Sequence, residues 1–490
     1  MALSWLFGGS SPSVANAQKA QVDQSETVRL ARMKEYWQAY DNQLPLPLKQ
    51  TKSDPQGRDN VRLNYSALVV DIGVAYLFGK EIDFACDGTP ENEDEAWLDL
   101  AWAQNGLMPT LLELAINGGV TGHSFVRLMP PDPDMDHKYP EVVVLDPQNV
   151  SIVTAPDNYK KIVAYALSWN AVDPLTGNML VYRQDITRQG KRWHILEQVS
   201  RGDSKSWQVT QDVDWPFSWS PIHGCQNLPL PNSVYGRSDL EDVVPVNNSV
   251  NFSVSNSRRI ERIHGHPKTV VTGMGKASLD VAVDEVLFLP NPTAQIRNLE
   301  MQSDLTAAAL WYDKIKSALH EITRIPECAT GKVDNLGALS GVALQTLFGP
   351  LLQKTFVKQV LYGPMVERLN EHMLEMGGRG VHTVQIIWPD VLPKNEMEEA
   401  QTCLLDEQLG ASKRTLLTKR GYDPDREMEQ SAEEDSNATT LGSNILDAFE
   451  KGKLPGQGAK GKGGKGGKGG NATDPPSMDD DDDTDPGEDS

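Results

Sequence analysis

Residues 340–378 read SGVALQTLFGPLLQKTFVKQVLYGPMVERLNEHMLEMGG, and they predict one long helix. Ser340 suits the N-cap, and the glycines at 377 and 378 suit the C-cap. At about 1.5 Å per residue the helix would be roughly 50 Å long. The Gly-Pro pairs at 349–350 and 363–364 should kink it without ending it, because apolar rows resume after both. Apolar residues on much of its circumference indicate burial between neighbours, in this chain or in another.

A second helix and a loop precede this long helix. Residues 303–326 carry apolar residues at alternating spacings of three and four, which form one stripe on a helix. The stripe consists of Leu305, Ala308, Tyr312, Ile315, Leu319 and Ile322. Pro326 ends this helix because proline lacks the N–H and clashes with the preceding turn. Residues 326–340 contain three turn-forming residues and no periodicity, so they predict a loop. On pattern alone, the long helix could equally be the central helix of an ordinary large domain.

The start of the long helix resembles a known family. The run Ser340-Gly341-Val342-Ala343-Leu344-Gln345, after a helix that ends in Ile325-Pro326, resembles the portal proteins of tailed bacteriophages. It is most similar to the branch with a Ser-Gly-Val-Ala-Leu-Lys signature, although Gln345 stands where lysine is common. In that family the loop is the tunnel loop that faces DNA, and the following helix is the kinked spine of each subunit.

Two further stretches are similar to portal proteins and occur in portal order. Asn64 precedes an apolar helix that ends Tyr76-Leu77-Phe78-Gly79-Lys80. Farther along, residues 235–241 read YGRSDLE and are predicted to open a long helix, with Ser238 or Asp239 as its cap. Portals have a similar Gly-x-Ser-Asp-Leu-Glu before a stem helix that carries asparagines. The asparagines that follow here are Asn247, Asn248, Asn251 and Asn256.

The resemblance implies an α+β, portal-type subunit that forms a ring. Its parts would be a mixed α/β wing, a helical stem, a small α/β clip, a long kinked spine helix and a helical crown. The implied boundaries are a flexible N-terminus (1–23), wing (24–235), stem helix 1 (236–266), clip (267–302), stem helix 2 (303–326), tunnel loop (327–340), spine helix and return strand of the wing (341–392), crown (393–450) and a disordered Gly/Lys- and Asp-rich tail (451–490).

Strand patterns support the β-containing parts of this organisation. Residues 141–213 hold short runs that alternate or are β-branched, separated by turn residues, which predicts a β-rich region. Residues 269–273 and 286–290 predict two strands of the clip. Residues 383–390 predict an apolar strand after the long helix, and we expect it to return to the β-rich part.

Composition narrows the class of protein. The chain has 490 residues, 39% of them hydrophobic, and a formal charge of −22. That charge argues against a tight general DNA binder, because phosphate affinity needs clustered Lys and Arg. The same negative charge is compatible with a protein that surrounds DNA without binding it tightly, because an acidic channel wall would allow the DNA to slide. The four scattered cysteines predict neither a disulfide framework nor a zinc site, and no stretch predicts a secretory signal or a membrane span.

Motif tests do not support catalysis. Ser124 follows Gly122 as in a nucleophile elbow, but Val126 stands where the second glycine belongs. Residues 270–277 fail as a phosphate loop, since Val270 replaces the first glycine and Ala277 the metal-binding Ser or Thr. We therefore predict no enzyme, no catalytic residue, no metal site and no cofactor. The alternatives are a hydrolase built on the acidic helices, a packaging ATPase, and a non-portal structural or scaffold protein of a virion.

Two groups of candidate site residues follow from the resemblance. The tunnel loop, with Lys332 as the candidate phosphate contact, would line the narrowest part of a DNA channel. It comprises Lys332, Val333, Asp334, Asn335, Leu336, Gly337, Ala338, Leu339 and Ser340. The stem basic cluster, Arg258, Arg259 and Arg262, would contact DNA phosphates or an acidic partner, or would simply form the solvated, salt-bridged end of a helix.

The resemblance also implies partners and a location. The subunits would form a homo-oligomer, usually a dodecamer, at one capsid vertex of the virion, after assembly in the host cytoplasm. Double-stranded DNA would pass through the ring during packaging and ejection. The implied protein partners are the terminase large subunit, head-completion or adaptor proteins, and the major capsid and scaffold proteins. No membrane is expected.

Overall fold

The structure is a computed structural model. It describes residues 12–52, 54–87, 93–132, 137–201, 206–264, 268–272, 295–299, 306–330, 341–391, 403–419 and 427–428. The chain divides into two compact units, Met1–Lys394 and Asn395–Ser490. The predicted mixed α+β class is confirmed by the helices and sheets described below.

The first unit begins with a group of helices. These are α1 (Pro12–Tyr40), α2 (Tyr65–Phe78), α3 (Glu93–Asn105) and α4 (Leu107–Thr121). The side chain of Asn64 accepts a hydrogen bond from the Ala67 N–H and so caps α2, which is the helix predicted at this place. Buried residues line most of α2, including Val70 and Phe78 at 0% exposure. An interior helix of this kind can be apolar all round.

Two antiparallel sheets follow. The three-stranded sheet has the order β3 (Glu141–Leu145), β2 (His123–Met129), β9 (Ile222–Gln226). The five-stranded sheet runs in sequence order through β4 (Val150–Ala155), β5 (Asn158–Val172), β6 (Met179–Gln189), β7 (Arg192–Arg201) and β8 (Gln208–Trp215). This meander confirms the β-rich region predicted between residues 141 and 213. The strands are longer than the patterns alone suggested.

Long helices make up the rest of the first unit. They are α5 (Val243–His264), α6 (Thr306–Thr323) and α7 (Gly341–Met376), with the antiparallel pair β10 (Lys268–Thr272) and β11 (Gln295–Leu299) between α5 and α6. A short 3-10 helix, Glu327–Thr330, follows α6. The predicted long helix is therefore present, and its 36 residues run through Pro350 and Pro364 without a break.

Three local predictions were wrong. The return strand β12 (Val384–Ile387) pairs with β1 (Asp83–Cys86) near the N-terminal helices and not with the β-rich sheets. Helix α5 begins at Val243, several residues after Ser238, which instead donates hydrogen bonds to the carbonyls of Gly119 and Val120. The pattern of residues 24–40 predicts a helix that starts at residue 24, whereas helix α1 begins at Pro12. Of the two strands predicted for a clip, the one at residues 286–290 lies outside the described residues, and β11 was not predicted.

Two hydrophobic cores hold the first unit together. The larger one joins α2, α3 and α4 to α7, with Tyr362, Met373 and Leu374 of α7 at 0% exposure. The smaller one lies against the five-stranded sheet and contains Phe125, Trp193 and Trp215. Burial of this much apolar surface is the main favourable term in folding. Helix α7 thus contributes to the same hydrophobic core as α2, α3 and α4.

In the second unit, residues 403–408 and Lys413–Lys419 are helical. These segments fall within residues 393–450, for which a helical crown was predicted. Most of the predicted crown and the whole tail lie outside the described residues. Among the helices that the structure describes, none combines the length and apolar content needed to cross a bilayer.

Candidate functional site

Three charged side chains meet inside the first unit. Asp239, from the YGRSDLE stretch, is paired with two lysines of α7: its Oδ1 lies 2.8 Å from Lys354 Nζ and its Oδ2 lies 2.6 Å from Lys358 Nζ. Lys358 is 2% exposed and Asp239 is 6% exposed. Charged residues are almost never buried in this way unless they are paired. This trio, named the buried ion cluster below, fixes α7 to the segment that leads into α5.

The buried ion cluster is supported by a network of polar groups. The Asn227 side-chain amide donates to Asp239 Oδ2 at 3.1 Å, and Tyr362 donates to Asn227 Oδ1 at 3.4 Å. Ser124 and Tyr362 share a hydroxyl hydrogen bond of 3.1 Å, and Ser124 also donates to the Leu114 carbonyl at 2.7 Å. The network therefore joins α4, β2, the 227–239 segment and α7. Side chains held in this way have one geometry available to them.

A close backbone approach brings the YGRSDLE stretch to this place. Gly122 ends α4 with φ of +92°, a conformation that side-chain-bearing residues rarely adopt. A Cβ atom at Gly122 would lie 2.7 Å from the Gly236 carbonyl oxygen. The N–H of Asp239 then donates to the Gly119 carbonyl at 2.9 Å. Gly122 and Gly236 thus allow the two backbone segments to approach closely, and this approach places Asp239 next to α7.

The electrostatics of the buried ion cluster favour the ionised form of Asp239. Burial acts to raise the pKa of Asp239, but the charges and hydrogen bonds of Lys354 and Lys358 outweigh it and hold that pKa below its ordinary value. Burial lowers the pKa of Lys358, and the Asp239 carboxylate opposes this effect. Because two lysines share one carboxylate, the cluster carries one excess positive charge.

A second polar row runs along α5 and binds the chain that precedes α2. Asn251 accepts from the Leu63 N–H at 2.8 Å, and the Ser255 hydroxyl accepts from the Val61 N–H at 2.9 Å. The same hydroxyl donates back to the Val61 carbonyl at 3.2 Å. Asn251 is thus a structural residue, bound to the backbone of this extended segment.

Two arginines of the predicted stem basic cluster continue this row. Arg259 Nε lies 3.1 Å from Asp59 Oδ2, and Arg262 Nε lies 2.6 Å from Asp59 Oδ1. Asp59 is only 1% exposed. The Arg262 hydrogen bond, with a further contribution from Arg259 and against the effect of burial, lowers the pKa of Asp59 to about 2. Arg258 is exposed, and no ion pair is seen for it within the described residues. The three predicted residues therefore have different surroundings.

The predicted tunnel loop lies outside the described residues, from Lys332 to Ser340. Its flanks are described: the 3-10 helix Glu327–Thr330 comes before it and α7 begins at Gly341. Just before the 3-10 helix, Arg324 ends α6 with a positive φ of 62°. Its N–H donates to the Glu321 carbonyl, and the next N–H donates to the His320 carbonyl, so the helix ends in a tight turn.

From the sequence, Ser124 was tested as a nucleophile. In the structure, Ser124 is a buried member of the polar network around the buried ion cluster. It is 0% exposed, and both hydrogen bonds described above are structural. Across the described part of the chain, no three His, Cys, Asp or Glu side chains are placed to hold a metal ion.

Large apolar side chains lie exposed on the three long helices. On α7, Phe356 is 64% exposed and Val360 is 55% exposed. On α6, Leu310 is 65% exposed and Trp311 is 56% exposed. Phe252 of α5 is 53% exposed. Such residues are unusual on a monomeric surface when several occur on neighbouring elements.

Sequence reasoning missed the buried ion cluster. The available signal was the pair Lys354 and Lys358, which are four residues apart and are the only charged residues between positions 341 and 366 of the helix. A charged pair at that spacing lies on one face. The lysine pair therefore predicts that a buried carboxylate packs against the same face of the helix. Nothing in the sequence indicates which acidic residue supplies this carboxylate.

The chain was compared with known proteins. Residues 232–440 match the model of the family described as phage portal protein, SPP1 Gp6-like. No curated protein matches. Two solved structures of gene transfer agent (GTA) particles are similar to this chain. A chain in the neck of the native GTA particle, computed with C12 symmetry, is 13% identical and has a TM-score of 0.43. A chain in the neck of the empty GTA particle, computed with C6 symmetry, is 14% identical and has a TM-score of 0.46. Each alignment covers 73% of this chain and 89% of the other.

The family match begins just before the YGRSDLE stretch and spans the buried ion cluster, α5, α6, α7 and β12. It includes two of the three stretches on which the resemblance to portals rested. The prediction of a portal protein, a component of the phage capsid, is thereby confirmed. Residues 232–440 of this chain are thus similar to the phage portal family of the SPP1 Gp6-like type, and this match supports a portal protein.

Proposed function

We propose that the chain is one subunit of a closed ring, usually of twelve copies, that forms the DNA channel at the portal vertex. The observation that carries this proposal is the set of exposed apolar side chains on α6 and α7, next to a face of α7 that is fully packed. In a ring, each subunit meets two neighbours through one heterologous interface. The exposed apolar side chains would then be covered by the neighbouring copies.

The buried ion cluster gives this ring a rigid element in each subunit. Lys354 and Lys358 attach α7 to Asp239, just before α5, and Lys354 also donates weakly to the Thr323 carbonyl at the end of α6, at 3.4 Å. Three long helices are thereby tied together at one point. In our proposal α5 and α6 are the stem and α7 is the spine. The predicted parts, from wing to crown, are retained in this proposal, with stem helix 1 beginning at Val243 and not at residue 236.

In this proposal, the ring conducts double-stranded DNA during packaging and ejection. Residues 332–340 line its narrowest part, and Lys332 contacts phosphates. The exposed Arg258 is the member of the stem basic cluster best placed to meet DNA or an acidic partner. The ring docks the terminase large subunit and later the head-completion proteins, while capsid and scaffold proteins surround it. It does not hydrolyse ATP. Assignment to the branch with the Ser-Gly-Val-Ala-Leu-Lys signature rests on residues 340–344 alone.

Negative-stain electron microscopy of the purified protein tests the ring directly. The expected result is class averages with cyclic symmetry of about twelve subunits and a central hole. Coexpression with the capsid and scaffold proteins provides the second condition, since some rings form only with scaffold. A compact dimer without a channel under both conditions would contradict the proposal and favour the enzyme alternative.

A further inference from the structure

The five-stranded sheet has one protected edge and one open edge. At the β4 edge, Arg29 of α1 donates to the Val150 carbonyl at 2.9 Å, and Tyr235 accepts from the Ile152 N–H at 2.8 Å. At the other edge, β8 pairs with β7 on one side, and no described strand pairs with its second side. All β8 residues before Trp215 are exposed. An open edge of this kind can accept another strand.

An apolar cleft adjoins this open edge. Its volume is about 300 Å³, and it lies between the end of β2 and the β7–β8 face. Ile195, Val213, Trp215 and Phe217 line it together with Leu128. Val213 is 41% exposed, and Val209, which precedes it on β8, is 51% exposed. The apolar surface therefore continues from the cleft along the strand.

One cation lies in this cleft without a partner among the described residues. The half-buried Arg127 lines the cleft, and its buried Nε atom has no hydrogen-bond partner. Burial lowers the pKa of Arg127, and the charge of Glu197 opposes this only in part. A buried polar group without a partner is uncommon and costs free energy. A guanidinium in this position is suited to a carboxylate, which it can bind with two parallel hydrogen bonds.

The acidic residues near the cleft are already engaged. Asp212 and Asp214 of β8 pair with His194. Their side chains lie on the sheet face opposite to Val213, because successive side chains of a strand point to opposite faces, and Asp214 also lines the cleft. Glu197 accepts hydrogen bonds from Gln184 at 2.9 Å and from Thr210 at 3.0 Å. None of them forms an ion pair with Arg127 among the described residues. The cleft face therefore presents mainly apolar walls and the positive charge of Arg127, which the charge of Glu197 offsets only in part.

We propose that this cleft and the β8 edge bind an extended segment of a different protein, with an Asp or Glu between apolar residues. The backbone of the segment pairs with the free edge of β8. Its apolar side chains pack against Val213 and Trp215, and its carboxylate binds Arg127. The charge complementarity at Arg127 selects this occupant over an uncharged strand. This proposal does not depend on the ring.

Selection from a displayed library of random octapeptides tests the proposal and needs no candidate partner at the start. Purified wild-type protein should enrich sequences in which one acidic residue is flanked by Val, Ile, Leu or Phe. Arg127→Gln keeps the polarity of the side chain but removes its charge. The same selection on this variant should enrich apolar sequences without the acidic position.

Titration of the best peptide and its neutral counterpart, with Gln or Asn in place of the acidic residue, makes the test quantitative. The wild-type protein should bind the acidic peptide about tenfold more tightly or better, as expected for a charge-assisted hydrogen bond. Arg127→Gln should remove that difference. Arg192→Gln, an exposed arginine on β7 outside the cleft, is the matched control and should retain it.

Circular dichroism verifies that both variants fold. If Arg127→Gln does not fold, Arg127→Lys replaces it, because lysine keeps the charge but cannot form the two parallel hydrogen bonds. The preference of this variant for the acidic peptide should then be weaker than that of the wild type.

Three outcomes would overturn the proposal. The first is that no peptide family is enriched. The second is equal affinity for the acidic and neutral peptides. The third is that Arg127→Gln reduces the particle mass of the protein in solution while the peptides do not bind, which would assign the cleft to a second copy of this chain.

Discussion

Lys358 Nζ lies 2.6 Å from Asp239 Oδ2, and neither side chain has meaningful contact with water. The two residues are 119 positions apart in the chain. Lys354 holds the second oxygen of the same carboxylate at 2.8 Å. The first unit thus has an ionic joint between α7 and the segment before α5. Joints of this type specify geometry more than they add stability, because desolvation offsets much of the attraction.

Removing the carboxylate should be strongly destabilising. Asp239→Asn leaves two buried lysines without a counter-charge, and we expect a loss of about 3–5 kcal/mol in the free energy of unfolding. Urea denaturation followed by far-UV circular dichroism measures it. Glu241→Gln is the control, because it disrupts an exposed pair with Arg237 and should cost less than about 1 kcal/mol.

The same reasoning predicts a rescue. Replacing all three members with apolar residues of similar size, as in Asp239→Leu, Lys354→Met, Lys358→Met, should recover most of the lost free energy of unfolding. A triple variant as unstable as Asp239→Asn would mean that the cost comes from packing and not from uncompensated charge.

The Asp59 contacts should make stability depend on pH at the acidic end. The pKa of Asp59 is about 2 in the folded protein, below the value of about 3.9 for an unfolded chain. Its stabilising contribution is therefore complete above about pH 4 and is lost as the pH falls toward 2. Thermal unfolding midpoints of the wild type and Asp59→Asn, measured from pH 5 to pH 2, should converge at low pH. A difference that stays constant across this range would contradict the assignment.

The exposed apolar residues of α7 should control assembly. Phe356→Asp places a charge where we propose a neighbouring subunit, so it should reduce the particle mass measured by light scattering while the circular dichroism spectrum is unchanged. Leu175→Asp is the matched control, because Leu175 is 94% exposed in the turn after β5. Its particles should have the mass of the wild type. Full-size particles of Phe356→Asp would exclude this face from the interface.

Lys332→Glu tests the channel role that was inferred from the sequence. If residue 332 contacts DNA phosphates, reversing its charge should impair packaging or retention of DNA, provided that rings still form. DNA content per particle, measured after nuclease treatment, is the readout. Normal packaging by intact Lys332→Glu rings would remove this residue from the channel contacts.

The three stem arginines should separate into two groups. Arg258→Ala should leave the thermal midpoint of the protein unchanged, whereas Arg262→Ala should lower it, because Arg262 is bound to the buried Asp59 and Arg258 is exposed. If the cluster contacts DNA, Arg258→Ala should lower the DNA content of particles on its own. An equal loss of thermal stability in both variants would contradict this division.

The sequence predicted those elements whose signals are local. Helix α2 has its cap and its apolar run within one short stretch, and α7 has a continuous apolar pattern through both prolines, so both were recognised. The start of α5 was misplaced because Ser238 resembles an N-cap, whereas its hydroxyl is used by the carbonyls of Gly119 and Val120, more than a hundred residues away.

The candidate site was predicted less completely for the same reason. The arginines of α5 were noticed as a charged cluster, but their partner Asp59 lies about 200 residues earlier, in a segment with no regular pattern. Likewise, the partner of β12 could not be predicted, because an apolar strand of four residues fits several sheet edges. Contacts between distant segments depend on the packed fold, which periodicity does not encode.

The pairing of β1 with β12 has a consequence for synthesis. Cys86 lies opposite Val384. The sheet therefore cannot form until the ribosome has synthesised β12, almost 300 residues after β1. At about 5–20 residues per second, the delay is on the order of 15–60 s. During that time the N-terminal helices lack both this strand and α7, and their apolar faces remain uncovered. A nascent chain therefore exposes these apolar faces and the unpaired edge of β1 until most of the chain has been synthesised, which makes the incomplete subunit prone to non-specific association.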